Sequence, residues 1–238
     1  MKFSYTHRVA GHETDINGVV PVSSIMRYAQ EGANLQHLFY GPTTDELRRD
    51  GTAFILSRVA LDMNESIRAQ EEITITTWLN EARGFGYTRY TEISKNGVIC
   101  AKMTAFWGAM EISARRPLRV ESISLGFGTD GDTLEVTSPI RFKNRDAVYE
   151  KIGSHTVLYG DCDENLHLNN TNYPIIFCNC LDSMKGKKVT HLSVNFQSEA
   201  KLGASFDILC FKNGDEYLFK TVFEDGRTGA EARMVINE

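Results

Sequence analysis

The sequence predicts an α+β protein built from two similar halves, each with one main helix and a curved antiparallel sheet. Three observations support this prediction. Long segments rich in Thr, Ile, Val and aromatic residues occur in both halves and are typical of half-buried strands. A periodic apolar segment precedes them in each half, which indicates a packed helix. Asn-Gly and Asp-Gly pairs separate several strand segments, as expected for hairpins.

The first half begins with a predicted strand over residues 3–12, followed by a polar turn and a helix that starts at Pro21. Apolar side chains recur in this helix at the spacing of one buried face, and Gly41 ends it. A short second helix is predicted from Thr44 to Asp50, with Thr44 as its N-cap. The long helix is the expected packing partner for the strands that follow.

Four predicted strands complete the first half, and their β-branched and aromatic content favours an antiparallel sheet. Asn96-Gly97 predicts a hairpin between the last two strands, because both residue types tolerate the positive φ angles of a tight turn. A sheet of this size beside one helix is expected to curve around it. The four segments are residues 54–63, 72–80, 87–94 and 98–110.

The second half repeats this order of strand, polar turn, helix and further strands. We therefore predict an N-terminal repeat at residues 1–125, a linker at 126–138 and a C-terminal repeat at 139–238. The linker is assigned where Gly, Asp, Thr and Ser occur without clear periodicity. The predicted elements of the second half are a strand at 155–159, a helix at 171–184 and strands at 189–197, 205–212, 216–223 and 228–236.

A pattern of one histidine, one aspartate and one asparagine occurs in both halves, 148 positions apart. This match supports a duplication. Position 19 is Val where position 167 is His, so only the second repeat carries the full polar set. The first repeat is then free to bind something apolar. The matched pairs are His7 with His155, Asp15 with Asp163 and Asn17 with Asn165.

Composition limits the function classes that are open to the chain. The 238 residues include 42% hydrophobic and 24% charged residues, which is ordinary for a globular protein. A net charge of −5 argues against nucleic acid as the main partner. No apolar run reaches the roughly 20 residues of a membrane span. The N-terminus has no signal-peptide pattern, and five cysteines without framework spacing favour reduced thiols, so a cytoplasmic protein is expected.

The segment D-C-D-E-N-L-H-L-N-N, residues 161–170, is the strongest candidate for a functional site. It concentrates carboxylates, an imidazole and amides immediately before an apolar helix. Asp163, Asn165 and His167 lie at positions i, i+2 and i+4, and an extended or loosely turning segment would put all three on one side. A base, hydrogen-bonding groups and the positive end of a helix are therefore predicted to meet.

This motif and the order of elements around it resemble the acyl-acyl carrier protein thioesterases. The pattern D-x-D-x-N-x-H-x-N-N followed by Tyr173 is similar to the family's motif, and LSRVALDMN and EEITITTWLNEARGFGYTRYTEI follow the family's order in the first half. The resemblance covers nearly the whole chain. It implies a double (tandem) hotdog fold and an enzyme that hydrolyses the thioester of fatty acyl-acyl carrier protein to release free fatty acid.

The resemblance also implies Asp163, Asn165, His167 and Glu199 as the catalytic set. We expect Glu199 or Asp163 to activate water, and a nucleophilic carboxylate at Asp163 is the rival scheme. His167 would hold or protonate a partner, and Asn165 would orient substrate or water. Backbone N–H groups at the start of the second-repeat helix are expected to stabilise the oxyanion.

Ala200 departs from the family pattern, because many members carry Cys at this position. A mechanism with a nucleophilic thiol there is closed to this chain. Either another mechanism operates or the protein is inactive, and the completeness of the other four groups favours the former. No metal or cofactor is expected, since Cys178-x-Cys180 is too short for a zinc pair and no G-x-S-x-G motif indicates a serine hydrolase.

The implied substrate suggests two further sites. Acyl carrier protein is acidic, and the basic cluster Arg115, Arg116 and Arg119 is its predicted docking site. The acyl chain needs an apolar slot, which we predict in the N-terminal repeat. The candidate lining residues are Ile25, Met26, Ala29, Phe54, Leu56, Trp78, Phe106 and Trp107.

Two alternatives stay open from the sequence. The chain could be an acyl-coenzyme A thioesterase, or an inactive acyl-binding protein with a hotdog fold. Tandem repeats supply within one chain the pairing that single-repeat hotdogs obtain by dimerising, so both a monomer and a homodimer are compatible with the sequence.

Overall fold

A computed structural model of the chain describes residues 1–80, 84–142 and 147–238. Three α-helices are found in these residues: α1 (Val22–Tyr40), α2 (Thr44–Arg49) and α3 (Tyr173–Asn179). Eleven strands form a single antiparallel sheet. The strands are β1 (Phe3–Arg8), β2 (Thr52–Met63), β3 (Glu72–Leu79), β4 (Gly86–Lys95), β5 (Val98–Glu111), β6 (Arg116–Pro117), β7 (Glu150–Thr156), β8 (Lys188–Phe196), β9 (Ser205–Asn213), β10 (Glu216–Phe223) and β11 (Thr228–Asn237).

The order of strands in the sheet is symmetric about its centre. It runs β1-β3-β4-β5-β2 and continues as β8-β11-β10-β9-β7, with the short β6 paired to β5. Read from each outer edge inwards, the two halves therefore have the same connectivity. They meet where β2 pairs with β8, in a register that runs from Arg58 opposite Asn195 to Asp62 opposite His191. The predicted α+β class and the helix-plus-sheet unit in each half agree with this architecture.

The main apolar core is shared by both halves. Ile25 of α1 and Phe177 of α3 are fully buried in it, together with Leu61 and Leu192 from the two central strands. Phe177 stacks on Phe219 with a distance of 4.7 Å between ring centroids. Burying a side chain of this size contributes roughly 1.5–3 kcal/mol. The helices are thus held in the core by buried apolar side chains at the spacing that the sequence predicted.

The N-cap of helix α2 lies one residue before the predicted cap. Its N-cap is Thr43, and the prediction of Thr44 is wrong. The hydroxyl of Thr43 accepts a hydrogen bond from the N–H of Glu46 at 3.3 Å, and the Glu46 carboxylate accepts from the N–H of Thr43 at 2.8 Å. This reciprocal capping box satisfies two donors that a helix start otherwise leaves unpaired.

The second-repeat helix is shorter than the predicted segment 171–184, because α3 ends at Asn179. The chain then turns, and a side chain of the other repeat holds the turn. Asn17 donates to the carbonyl oxygens of Met184 and Lys187 at 2.9 and 2.8 Å, and it accepts from the N–H of Gly186 at 2.7 Å. A predicted strand at 155–159 is also displaced, since β7 ends at Thr156.

Part of the segment between the repeats is fastened to the N-terminal half. The terminal amine of Met1 donates to the carbonyl oxygens of Gly128 and Thr129, both at 3.0 Å. Further along, the N–H groups of Thr137 and Ser138 donate to the buried carboxylate of Asp62 on β2. No helix in the described ranges is long and apolar enough to cross a membrane.

Candidate active site

The polar motif of the second repeat folds into a tight turn organised by Asp163. One carboxylate oxygen of Asp163 accepts from the N–H of Asn165 at 2.9 Å and from the N–H of His167 at 3.4 Å. The N–H of Asp163 donates in turn to the His167 carbonyl oxygen at 2.8 Å. Leu166 adopts a φ of 59° between them. The motif is therefore a closed turn and not an extended segment, and its side chains are fixed by local hydrogen bonds.

A second histidine and acid pair anchors the turn to the sheet. The Nε2 atom of His155, on β7, lies 2.9 Å from a carboxylate oxygen of Asp161, which also accepts from the N–H of Leu158 at 2.9 Å. The first repeat has the same arrangement between His7 and Glu13, at 2.9 Å. These pairs are six residues apart in both repeats. The histidine shared by the two repeats therefore has a structural partner in each.

Glu199 reaches the motif because its own segment pairs with the turn. The N–H of Leu168 donates to the carbonyl oxygen of Ala200 at 2.8 Å, and the backbones of His167 and Lys201 pair in an isolated antiparallel β-bridge. These backbone contacts bring a carboxylate oxygen of Glu199 to 3.6 Å from Nε2 of His167. That distance is an ion-pair contact, longer than a direct hydrogen bond. The carboxylate and the imidazole thus face each other across the turn.

The side chain of Asn165 lies between one partner in its own turn and one in the other repeat. Its amide nitrogen donates to the second carboxylate oxygen of Asp163 at 3.3 Å. Its amide oxygen accepts from the guanidinium of Arg48 on α2 at 2.8 Å. Arg48 also pairs with Glu164 at 2.8 Å. Sequence reasoning missed Arg48, since a single arginine on a short helix carries no motif.

The four predicted catalytic residues differ in their exposure. Asp163 and His167 are half-buried, with the His167 side chain 25% exposed, whereas the Glu199 side chain is 58% exposed. Asn165 is exposed. The site is therefore an acid–imidazole pair open to solvent beside an amide and a hydrogen-bonded aspartate. Such an arrangement can move a proton between water and a bound substrate.

No thiol near the turn is prepared for nucleophilic attack. Ala200 is 2% exposed, and its side chain belongs to the apolar core. Cys162 directly precedes Asp163, but its thiol donates to the Leu158 carbonyl oxygen at 3.4 Å. Desolvation, with the charges of Asp161 and Asp163, raises the pKa of Cys162 above its ordinary value. Among the described residues, no three His, Cys, Asp or Glu side chains converge to hold a metal ion.

The start of the second-repeat helix gives little support to the expected oxyanion site, which stays a prediction. Helix α3 spans only seven residues, and Pro174 in its first turn has no N–H to offer. The N–H groups of Thr171 and Asn172 just before it are already donated to the side chain and carbonyl oxygen of Asn169. A helix of this length has little dipole, and the two donors just before it are occupied.

The predicted acyl-binding residues separate into two groups. Four are buried in the structure: Ile25, Met26, Ala29 and Trp78. The other four lie half-buried on the neighbouring strands β2 and β5, where Leu56 is opposite Trp107. Leu56 and Trp107 contact the main core, and Phe54 contacts a smaller cluster that includes Tyr87. The half-buried residues are Phe54, Leu56, Phe106 and Trp107.

The predicted docking arginines lie on and just after the hairpin between β5 and β6. All three are exposed. Arg116 pairs with Glu111 at 2.7 Å, and Arg119 lies 5.3 Å from the ring centre of Phe85. The N–H of Ile112 donates to the Gly51 carbonyl oxygen at 2.9 Å. That bond brings the hairpin next to the end of α2, the helix that contacts the candidate site.

Comparison with known proteins assigns both halves of the chain. Residues 1–123 match the acyl-ACP thioesterase N-terminal domain, and residues 145–237 match the acyl-ACP thioesterase C-terminal domain, where ACP is acyl carrier protein. Among curated proteins, none matches the sequence significantly.

Two solved structures have the same fold over their whole length. An acyl-ACP thioesterase from Bacteroides thetaiotaomicron is 14% identical, with a TM-score of 0.86, and the alignment covers 99% of this chain and 98% of that chain. A 12:0-ACP thioesterase from Umbellularia californica is 16% identical, with a TM-score of 0.76. That alignment covers 99% of this chain and 97% of the other. The predicted double hotdog fold is confirmed.

Proposed function

Because this chain belongs to the acyl-ACP thioesterase family, we propose a reaction scheme for it from its own residues. The enzyme is a thioester hydrolase that releases free fatty acid from fatty acyl-ACP. The observation that carries the scheme is the 3.6 Å approach of Glu199 to Nε2 of His167, in the same turn that holds the amide of Asn165 against Asp163. These groups come from two segments that backbone pairing holds together.

The hydrogen bonding of the two carboxylates supports Glu199 as the general base. Asp163 accepts two backbone N–H bonds and one amide N–H bond, so most of its lone pairs are used. The Glu199 carboxylate accepts no hydrogen bond from the described residues, and its side chain is exposed to solvent. A water molecule can therefore approach Glu199 more easily than Asp163. We assign Asp163 to orienting the turn, and this disfavours the rival scheme with a nucleophilic aspartate.

The proposed hydrolysis has two steps, attack by water and departure of the thiolate, and one proton is transferred in each. Glu199 takes a proton from water as the oxygen attacks the thioester carbonyl and a tetrahedral intermediate forms. When that intermediate collapses, the C–S bond breaks, and the leaving thiolate of phosphopantetheine needs a proton. His167 passes the proton from Glu199 to the sulfur. The second N–H of the Asn165 amide, which Asp163 does not use, orients the carbonyl or the attacking water.

The test of the function is hydrolysis by the wild-type protein of one acyl chain presented on two carriers. Higher kcat/KM for acyl-ACP than for acyl-coenzyme A supports the proposed substrate. The reverse preference favours an acyl-coenzyme A thioesterase. Bound lipid without hydrolysis of either thioester would identify an inactive acyl-binding protein, the reading that Ala200 left open.

We expect Ala200→Cys to leave kcat nearly unchanged. The position is buried in the apolar core, so a thiol there is desolvated and remains protonated at neutral pH. The measurement is kcat for acyl-ACP before and after treatment with a thiol-alkylating reagent. A gain in rate that alkylation abolishes would contradict the scheme, because it would mean that the new thiolate reaches the substrate.

We expect reversal of charge at Arg115, Arg116 and Arg119 to raise KM for acyl-ACP about tenfold while kcat changes little. Charges at the edge of an interface mainly control encounter, and salt screens them. The control substrate is an uncharged N-acetylcysteamine thioester of the same acyl chain, whose KM should not change. An equal KM for wild type and triple variant with acyl-ACP would remove this hairpin from the docking surface.

A further inference from the structure

We propose that Arg48, contributed by the N-terminal repeat, is a positioning residue that sets the orientation of the Asn165 amide in the catalytic turn. The proposal rests on the proposed function, because it assigns Arg48 a part in the same reaction. Arg48 and Asn165 are 117 positions apart in the sequence and meet at 2.8 Å across the contact between repeats.

The chemistry of the two groups fixes the amide in one orientation. A guanidinium has only donors, so the Asn165 amide must turn its oxygen towards Arg48. The amide nitrogen then faces Asp163, to which it donates at 3.3 Å. One N–H of the amide is left for the substrate side of the turn. Without Arg48, only the 3.3 Å bond to Asp163 would hold the amide, so the remaining N–H would lose its fixed direction towards the substrate.

Arg48 is itself held in place, so it can transmit an orientation. Its guanidinium pairs with Glu164 of the same turn at 2.8 Å and approaches Asp45 on α2 at 3.7 Å. The side chain is 33% exposed. Leu47 next to it is buried, and a capping box starts the helix. The arginine therefore lies on a helix with a fixed position, and it contacts two consecutive side chains of the turn, Glu164 and Asn165.

The equivalent asparagine of the first repeat shows what an amide does without a catalytic role. The Asn17 side chain also contacts the other repeat, in the segment that follows α3. All its partners there are backbone groups of residues 184–187. Both ends of its amide are used. In the second repeat a cationic side chain replaces those backbone groups and occupies only the oxygen of Asn165. The symmetry of the contacts, and the difference between them, point to a role for Arg48 in orienting the amide.

The decisive experiment compares Arg48→Met, Arg48→Lys and Arg49→Met. Arg49 is an exposed neighbour on the same helix and makes no contact with Asn165, so it controls for loss of one positive charge. Steady-state kinetics use acyl-ACP and the uncharged N-acetylcysteamine thioester. A second readout is the side-chain amide signal of Asn165 in ¹H–¹⁵N NMR spectra, assigned with Asn165→Asp, and thermal unfolding monitors stability.

We expect Arg48→Met to lower kcat about ten- to a hundredfold on both substrates, with KM within threefold, since small errors in position carry penalties of this size. Arg48→Lys should recover part of the loss, and Arg49→Met should match wild type. The Asn165 amide signal should shift only in the Arg48 variants.

Three results would overturn the proposal. A higher KM for acyl-ACP alone would make Arg48 a docking cation. A lower melting temperature with unchanged kcat would make it only a clamp between repeats. An unmoved Asn165 signal would mean that the arginine does not set the amide. If wild type hydrolyses neither thioester, the proposed function fails, while the NMR comparison still decides the orientation of Asn165.

Discussion

Replacing Glu199 with Gln is expected to lower kcat for acyl-ACP by about 10²–10⁴-fold, the usual effect of losing a general base. The amide keeps the size of the carboxylate but cannot take a proton from water. His167→Ala should cause a loss in the same range, because the leaving thiolate then has no proton relay. KM should change little in both, since neither group holds the acyl chain in the proposed scheme.

The matched controls are an acid and a histidine away from the turn. Glu224 and His12 are exposed, so Glu224→Gln and His12→Ala should retain wild-type kcat. Asp163→Asn is informative in a different way. It keeps one acceptor for the backbone N–H groups of the turn, so we expect a smaller loss than for Glu199→Gln. A loss at Asp163 that exceeds the loss at Glu199 would instead favour the aspartate as nucleophile. Near wild-type turnover of Glu199→Gln, His167→Ala and Asp163→Asn would discard the whole assignment.

The sequence predicted the strands well because their signals are local. Alternating burial along β3 and β4 follows the alternation of side chains on a half-buried strand. The hairpin at Asn96-Gly97 has φ angles of 50° and 78°, which these residue types tolerate. The duplicated order also followed from local patterns read twice. Fold class was therefore accessible from periodicity, turn chemistry and the repeated motif.

Features that depend on the other repeat were not accessible in this way. The end of α3 is set partly by Asn17, which lies more than 150 positions earlier. The partner of Asn165 is Arg48, on a helix whose sequence is ordinary for an exposed surface. The four catalytic candidates came from family resemblance, and the sequence could not tell which carboxylate was already hydrogen-bonded. The spacing of polar residues predicted a turn. The approach of Glu199 to that turn depends on backbone pairing between two separate segments, which the sequence does not show.

Asp62 is a second long-range feature that no local pattern indicated. It lies on β2, where the alternation of a strand gives no reason for a buried acid, and it is 4% exposed. Its carboxylate accepts hydrogen bonds from Thr137 and Ser138 of the segment between the repeats. It also lies 2.8 Å from Nδ1 of His191 on β8. One carboxylate therefore ties together both repeats and the chain that joins them.

The ionised form of Asp62 stabilises the folded state over a defined pH range. Burial alone would raise the pKa of Asp62, but the hydrogen bonds from Ser138, His191 and Thr137 outweigh it and lower the pKa from 3.8 to about 2. The folded protein thus holds the charged form more strongly than the unfolded chain does. The resulting stabilisation is present above pH 4 and is lost as the pH falls from about 4 to about 2.

We expect Asp62→Asn to lower the free energy of unfolding at pH 7 by about 3 kcal/mol, the scale for breaking a buried charged network. The amide cannot accept all the hydrogen bonds, and its NH2 group faces other donors. Asp207→Asn is the control, because Asp207 pairs with Lys151 at 2.7 Å where both side chains are about half exposed. Such surface pairs contribute about 0–1 kcal/mol.

The measurement is urea unfolding of both variants and wild type at several pH values. The difference in free energy of unfolding between wild type and Asp62→Asn should be largest near neutrality. It should narrow below pH 4, because wild-type Asp62 then becomes protonated and neither protein carries a charge at this position. Equal destabilisation by the two substitutions would mean that the Asp62 network does not join the repeats. A gap that stays constant down to pH 2 would assign the loss to packing instead of charge. If the difference in free energy of unfolding narrows as expected, the contact between the repeats depends on the charge of one buried carboxylate.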